Sequence, residues 1–315
     1  MRRVLSFRYL RELVVVILLP LTFLINARLS PYFLDPAYLL SDTSQYMEAG
    51  IVALALTFII ISGNIDLSVA SNMALVACVT ASLHARLGLP MGAAIPIGLL
   101  LGGLLGLING LLIAGFRLPS LTVTLGTFAL YRGIAQILLG DRSISRFPEW
   151  FVGMDYRMIG PVPLPLLIFL TLVVLFALIL HRTLVGRWLY ALGANPTASR
   201  LSGVPVRRVT VSLFVFSGFC AGFAGLMMAS RLNVARYDMA MGLELDAITA
   251  VVLGGTDIFG GRGTIFGTAL ALFLIGILRS GMGLANIKIE QQLVVIGALL
   301  IVSIALPNLL QRRRS

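Results

Sequence analysis

The sequence predicts an all-α polytopic membrane protein of about ten transmembrane helices, with a single domain spanning residues 1–315. Composition is the first reason: 58% of the 315 residues are hydrophobic and 12% charged, where a soluble domain carries about 25% charged residues. Apolar runs close to the ~20 residues needed to cross a bilayer recur along the chain. The 24 Lys and Arg residues are scattered at the ends of these runs. A net charge of +11 distributed in this way lacks the single basic stripe of a nucleic-acid binder, so no nucleic-acid partner is expected.

The runs place spans near 9–26, 46–62, 69–85, 91–114, 119–139, 162–181, 209–230, 245–254, 264–283 and 291–307. The first follows MRRVLSFRYLRE without a small-residue cleavage site and reads as a membrane span, not a removed signal peptide. Gly98, Gly102, Gly106 and Gly110 repeat every fourth residue in the fourth span, and Gly218 and Gly222 do so in the seventh. Small residues at that spacing let helix backbones approach closely in lipid. The eighth span is short, with Asp246 near its start.

Alternate loops sort the positive charge. With the N-terminus on the inside, fourteen Lys and Arg residues fall on the inner side and nine on the outer, Arg132 lying within the fifth span. Ten of the thirteen acids fall outside. Both termini are therefore expected in the cytoplasm. The longest outer loop, 140–161, holds Trp150, Phe151 and Tyr156, as an interfacial or re-entrant piece would.

One inner loop, 182–208, carries five arginines and no acid. Within it Asn195 suits an N-cap, Pro196 the first helical position and Gly203 a terminator. A short capped helix in a basic loop between spans suggests a protein contact in water.

Two apolar runs stop at glycine-led breaks, Ser62-Gly63-Asn64-Ile65-Asp66-Leu67-Ser68 and the segment 254–263. Gly63-x-x-Asp66 overlays on Gly254-x-x-Asp257, a hint of internal duplication. Two readings fit the breaks. They are tight turns, with Asp66 capping the helix that follows, or broken-helix elements beside a polar path. Arg132 should face protein or water, as a structural ion pair or a substrate contact.

Catalytic chemistry is missing from the inventory. Lys288, the one lysine, is followed by Ile289, so no Gly-Lys-Ser/Thr phosphate loop exists. The glycines of 254–267 have the wrong spacing for a dinucleotide fingerprint. His84 and His181 sit at span ends, and Cys78 and Cys220 lie in apolar runs where they read as inert buried thiols. No enzyme activity, catalytic residue, cofactor or metal site is expected.

Four motifs in order resemble the permease subunit of ribose-type ABC importers, in the branched-chain/ribose permease superfamily. GNIDLSVAS (63–71) resembles that family's Gly-Gly-Ile-Asp-Leu-Ser-Val-Gly-Ser, departing at Asn64 and Ala70. LPSLTVTLGTFALYRGIA (118–135), LGANPTASRLSGVPV (192–206) and LDAITAVVLGGTDIFGGRGTIFGT (245–268) resemble its fifth-span, ATPase-docking and second glycine motifs. The resemblance implies an inner-membrane subunit, embedded in lipid and paired with a second permease subunit, either a copy or a paralogue. ATP-binding-cassette ATPase subunits would dock beneath, and a periplasmic sugar-binding protein would deliver a monosaccharide from above. ATPase coupling is then expected from Ala194, Asn195, Pro196, Thr197, Ala198, Ser199, Arg200, Leu201, Ser202 and Gly203. A translocation path is expected from Asn64, Asp66, Ser68, Thr124, Arg132 and Asp257. Two alternatives stay open: an ABC permease of the same fold for branched-chain amino acids or another small solute, which GNIDLS argues against, and a stand-alone secondary transporter.

Overall fold

A computed structural model describes residues 10–312. The chain folds around one helix, α3. In order, α1 is Leu10–Leu29, α2 Pro36–Asp42, α3 Met47–Ile61, α4 Val69–Ala85, α5 Met91–Phe116 and α6 Ser120–Leu139. Then come α7 Glu149–Tyr156, α8 Leu164–Arg182, α9 Leu184–Ala194, α10 Pro196–Leu201 and α11 Val206–Leu232. The last three are α12 Leu243–Leu253, α13 Ile265–Leu284 and α14 Ile289–Arg312. Every residue of α3 except Ala49 is buried. A helix apolar on all sides belongs inside a bundle, and α11, α12, α8 and α13 enclose it.

Six of these stretches are long and apolar enough to cross a membrane: Pro36–Ile61, Met91–Phe116, Ser120–Leu139, Leu164–Arg182, Val206–Leu232 and Ile265–Leu284. Val15–Arg28, Val69–Ala85 and Ile289–Leu299 are shorter apolar helices, and α12 has 11 residues. Every expected span corresponds to a helix, and six of them meet both the length and the apolarity for crossing among the described residues. Two are short because they adjoin the glycine-led breaks: α4 begins just after the first and α12 ends at the second.

The glycine ladder does what its spacing predicts. A Cβ at Gly106 would lie 2.0 Å from the Phe214 carbonyl oxygen, and one at Gly218 2.3 Å from that of Gly102. The backbones of α5 and α11 therefore touch. Gly225 extends the contact to α4, where an added Cβ would meet the Met73 carbonyl at 2.4 Å. Leucine at position 106 has to push two helices apart, and Gly106→Leu is expected to destabilise the bundle by about 3 kcal/mol. Gly103, whose Cβ position has 3.8 Å of clearance from Val215, is the control: Gly103→Leu should stay within about 0.5 kcal/mol. Thermal unfolding in detergent reads both.

The loop 140–161 is built rather than open. Its β1, Ile144–Ser145, pairs antiparallel with β4, Val234–Ala235. The strands β2, Met158–Ile159, and β3, Val162–Pro163, form a hairpin. Between them α7 buries Phe151 completely and leaves Trp150 exposed. Beneath this cap, fully buried Glu48 meets Arg231 at 2.7 Å, so the acid inside α3 is paired.

Candidate functional site

The helix expected in the basic loop forms over Pro196–Leu201, and a second helix, α9, precedes it. Asn195 is extended and its side-chain oxygen accepts from the Ala198 N–H at 3.0 Å, a working N-cap. At the other end Gly203 has φ +83. Its N–H donates to Arg200 O and the Val204 N–H to Ser199 O, the paired bonds of a Schellman stop. Ser199 turns inward. Ala194, Asn195, Pro196, Thr197, Ala198, Arg200, Leu201, Ser202 and Gly203 face out, and Leu201 is 85% exposed.

What holds this helix is backbone on backbone. A Cβ at Gly193 would lie 1.9 Å from the Ile61 carbonyl oxygen and 2.3 Å from the Gly261 nitrogen. The Gly261 N–H donates to that same Ile61 oxygen at 2.8 Å, and the Tyr190 hydroxyl donates to Gly263 O at 2.7 Å. Gly260 in turn packs on Gly63. The end of α3, the glycine loop after α12 and the end of α9, just before α10, thus meet at a three-glycine junction. Phe259, 88% exposed, projects beside it. Phe259 and Gly193 lie within the motifs 245–268 and 192–206 but were not among the expected site residues, because each acquires its place from segments far away in the chain.

The two breaks are the same cap used twice, one residue out of the register that the sequence overlay suggests. Gly63 (φ +81) and Gly255 (φ +93) occupy the left-handed position. Gly63 N–H bonds Ile60 O and Asn64 N–H bonds Ile59 O, while Gly255 N–H bonds Val252 O and Thr256 N–H bonds Val251 O. Gly63 therefore matches Gly255, not Gly254, and Asp66 has no structural counterpart in Asp257. Asn64 needs no left-handed conformation, so its departure from glycine carries no backbone strain.

The six expected path residues do not form one path. Asn64, Asp66, Ser68 and Thr124 do come together. Asp66 is 2% exposed; it accepts from the Ser68 N–H at 3.0 Å and the Ser68 hydroxyl at 2.6 Å, and from the Ser217 hydroxyl at 3.0 Å. The Ser68 oxygen accepts from Asn109 at 2.8 Å, and the Tyr131 hydroxyl donates to Leu105 O beside them. Thr124 bonds Ile65 O at 3.3 Å. Burial raises the Asp66 carboxyl above the usual range, against the Ser68 and Ser217 hydrogen bonds, which pull it down. Asp66, Ser68 and Thr124 tie α4, α6 and α11 to the break and line neither cavity.

Arg132 sits elsewhere. Its guanidinium donates to the carbonyls of Tyr237 and, at 2.8 Å, Met239, and lies 5.8 Å over the Phe128 ring. It makes no ion pair among the described residues, because backbone oxygens from the 237–239 turn take its charge. Asp257 caps its own loop, accepting from the Phe259 N–H at 3.2 Å. Of the six, Asn64 lines a cavity of about 380 Å³, together with Arg117, Arg200 and Arg207, which lies between the first break and α10.

A bundle around a buried helix, interrupted twice at one end and presenting a capped basic helix there, is the architecture of a transport permease. The chain belongs to the family described as branched-chain amino acid transport system / permease component, whose profile matches residues 38–304. It is 39% identical over 297 residues to the autoinducer 2 import system permease protein LsrD of Enterobacter sp. (strain 638), covering 92% of this chain and 90% of the relative. The protein of that name from Photorhabdus laumondii is 37% identical, covering 94% of this chain and 91% of the relative. The one from Escherichia coli K12 is 38% identical with the same coverage. No solved structure matches the chain.

Proposed function

We propose that this chain is the membrane-spanning subunit of an ATP-binding-cassette importer in the bacterial inner membrane, passing a small sugar-like solute inward by alternating access. The observation that carries this reading is α10, an exposed, doubly capped helix that follows directly on α9, whose end is seated by a glycine contact on the end of α3 and on the glycine loop after α12. Such a seat transmits force: moving α10 with the end of α9 pushes on α3 and on the 254–263 loop with little slack. The apolar runs support ten spans and the charge bias supports both termini in the cytoplasm, an orientation that the clustering of both breaks with the basic loop at one end also favours. Docking of an ATPase falls to residues 194–203, and a second permease subunit and a periplasmic binding protein complete the assembly.

The relatives' name, autoinducer 2 import system permease, favours a sugar-like solute over a branched-chain amino acid. The test is affinity purification of the tagged chain from its native membrane in mild detergent. An ATPase subunit is expected in the eluate at a ratio near one to one. A purified chain that carries no ATPase and still transports solute on an ion gradient overturns the proposal in favour of a secondary transporter.

A further inference from the structure

The cavity of about 380 Å³ between the first break and α10 is lined by Arg117, Arg200 and Arg207, and no carboxylate lines it. We propose that it binds a phosphate group carried on a small organic body, either a lipid headgroup or a soluble phosphate ester. The binding stands on the cavity itself; its consequence for transport rests on the importer reading.

Three separate elements supply the charge. Arg117 caps the end of α5, Arg200 lies in α10 and Arg207 in the first turn of α11. None of the three forms an ion pair among the described residues. The Arg207 guanidinium reaches back to α5: its Nη2 lies 3.8 Å from where a Cβ of Gly115 would be, two residues before Arg117. The end of α5 and the start of α11 carry opposite helix-end charges of about half a unit, which largely cancel, so about three positive charges are left for something outside the chain to answer. An inward bias of positive charge places arginines at this end of the bundle. It does not gather three of them around one space.

Arg117 carries a second signal. It adopts φ +57 and ψ +34, the left-handed conformation in which a helix commonly ends on glycine. Glycine would make that turn with less strain, so the turn does not account for the side chain.

Geometry selects the ligand. Ile113, Leu118, Leu192 and Val206 supply apolar wall between the arginines, and low-dielectric walls focus the field of a cleft lined by one sign of charge. A carboxylate offers two oxygens, enough for one guanidinium fork. A phosphate offers three acceptor oxygens and nearly two charges, and so can answer several forks at once. The volume falls among small-molecule sites of about 300–1,000 Å³, which leaves room for an organic body beyond the phosphate.

The position gives the occupant an effect. The glycine ladder locks α5 to α11, whereas α10 is a six-residue helix outside that contact. A phosphate held by all three arginines ties α10 to the locked pair. In the importer, occupancy should therefore restrain the coupling helix and slow the transport cycle.

The test titrates inorganic phosphate against the full chain in phosphatidylcholine nanodiscs, with sodium chloride at matched ionic strength as the reference, and reads thermal unfolding. A parallel arm uses nanodiscs containing phosphatidylglycerol and counts the molecules of that lipid retained in native mass spectra. The wild type should bind at least one probe. Arg207→Gln and Arg117→Gly are each expected to weaken that binding at least about tenfold, the loss of a hydrogen bond to a charged group. Glycine suits the left-handed turn at 117, so that variant should fold as stably as the wild type. Arg187→Gln removes the same charge from the same loop at a position outside the cavity and should leave binding unchanged. Protection by phosphate without lipid retention assigns the site to soluble esters, the reverse assigns it to lipid, and both together mean that it takes either. The proposal is overturned if neither probe binds, if both variants bind as the wild type does, or if Arg187→Gln weakens binding equally. ATPase capture without binding of either probe removes only this site, and binding without capture removes only the importer reading.

Discussion

Replacing Arg200 and Ser202 together with glutamate is expected to abolish ATPase capture while leaving the permease folded. Both side chains face solvent at the end of α10, so the substitution buries nothing and breaks no core contact. Its internal cost is small. Two acids near a helix C-terminus are unfavourable by about 0.5 kcal/mol each, well below what unfolds a bundle. The effect on a partner is far larger. Loop 182–208 holds five arginines and no acid, and Arg117, Arg200 and Arg207 line one cavity. A surface of this sign selects an acidic partner, and reversing two positions turns attraction into repulsion. Close charge pairs across interfaces couple by about 1.5–7 kcal/mol, so capture should fall by more than about 100-fold. Pull-down from nanodiscs reads the effect, and unchanged thermal unfolding establishes that the fold is intact. Full-strength capture by the double variant would mean that α10 is not the docking element.

Asp66→Ala is expected to cost about 4 kcal/mol of stability, more than any other single substitution considered. Its carboxylate is the acceptor for the Ser68 N–H, the Ser68 hydroxyl and the Ser217 hydroxyl. Removing it leaves a buried backbone donor and two buried hydroxyl donors without their acceptor and opens the polar link between α4 and α11. Asp66→Asn keeps one acceptor and the shape, and should cost about 1.5 kcal/mol. Uptake should fall with the amount of folded protein and stay near wild type per folded molecule. Normalised uptake that drops tenfold or more in Asp66→Asn, with thermal unfolding unchanged, would return Asp66 to the solute path.

These two predictions treat residues 66 and 200 differently, and the reason lies in how each was legible. The features of α10 are local: Asn195, Pro196 and Gly203 cap a helix through bonds to residues three to five positions away, which a sequence pattern records directly. The α5–α11 contact was legible for a similar reason, since a four-residue glycine period has one strong structural meaning in lipid. Asp66 was ambiguous because its capping bond to Ser68 is local while its bond to Ser217 crosses 151 positions. Arg132 could not be assigned at all, since its partners are backbone carbonyls 105 and 107 residues away. Every residue has a carbonyl, so no pattern marks which ones will receive a charge. The overlay of the two breaks slipped by one residue for a related reason. Aspartates align by letter, whereas the Schellman cap aligns by the glycine that must take positive φ.

By itself, then, the sequence determined the membrane class, the basic loop 182–208 with its helix caps and the tight α5–α11 packing. All of these follow from composition, charge or short-range periodicity. Only the tertiary structure decided that the expected path residues separate into a buried tie at Asp66, a backbone clamp at Arg132 and a loop cap at Asp257. It alone brought Gly63, Gly193 and Gly260 into one junction. Contacts between backbones distant in sequence depend on helix packing in three dimensions, and a single chain of letters carries no term for them.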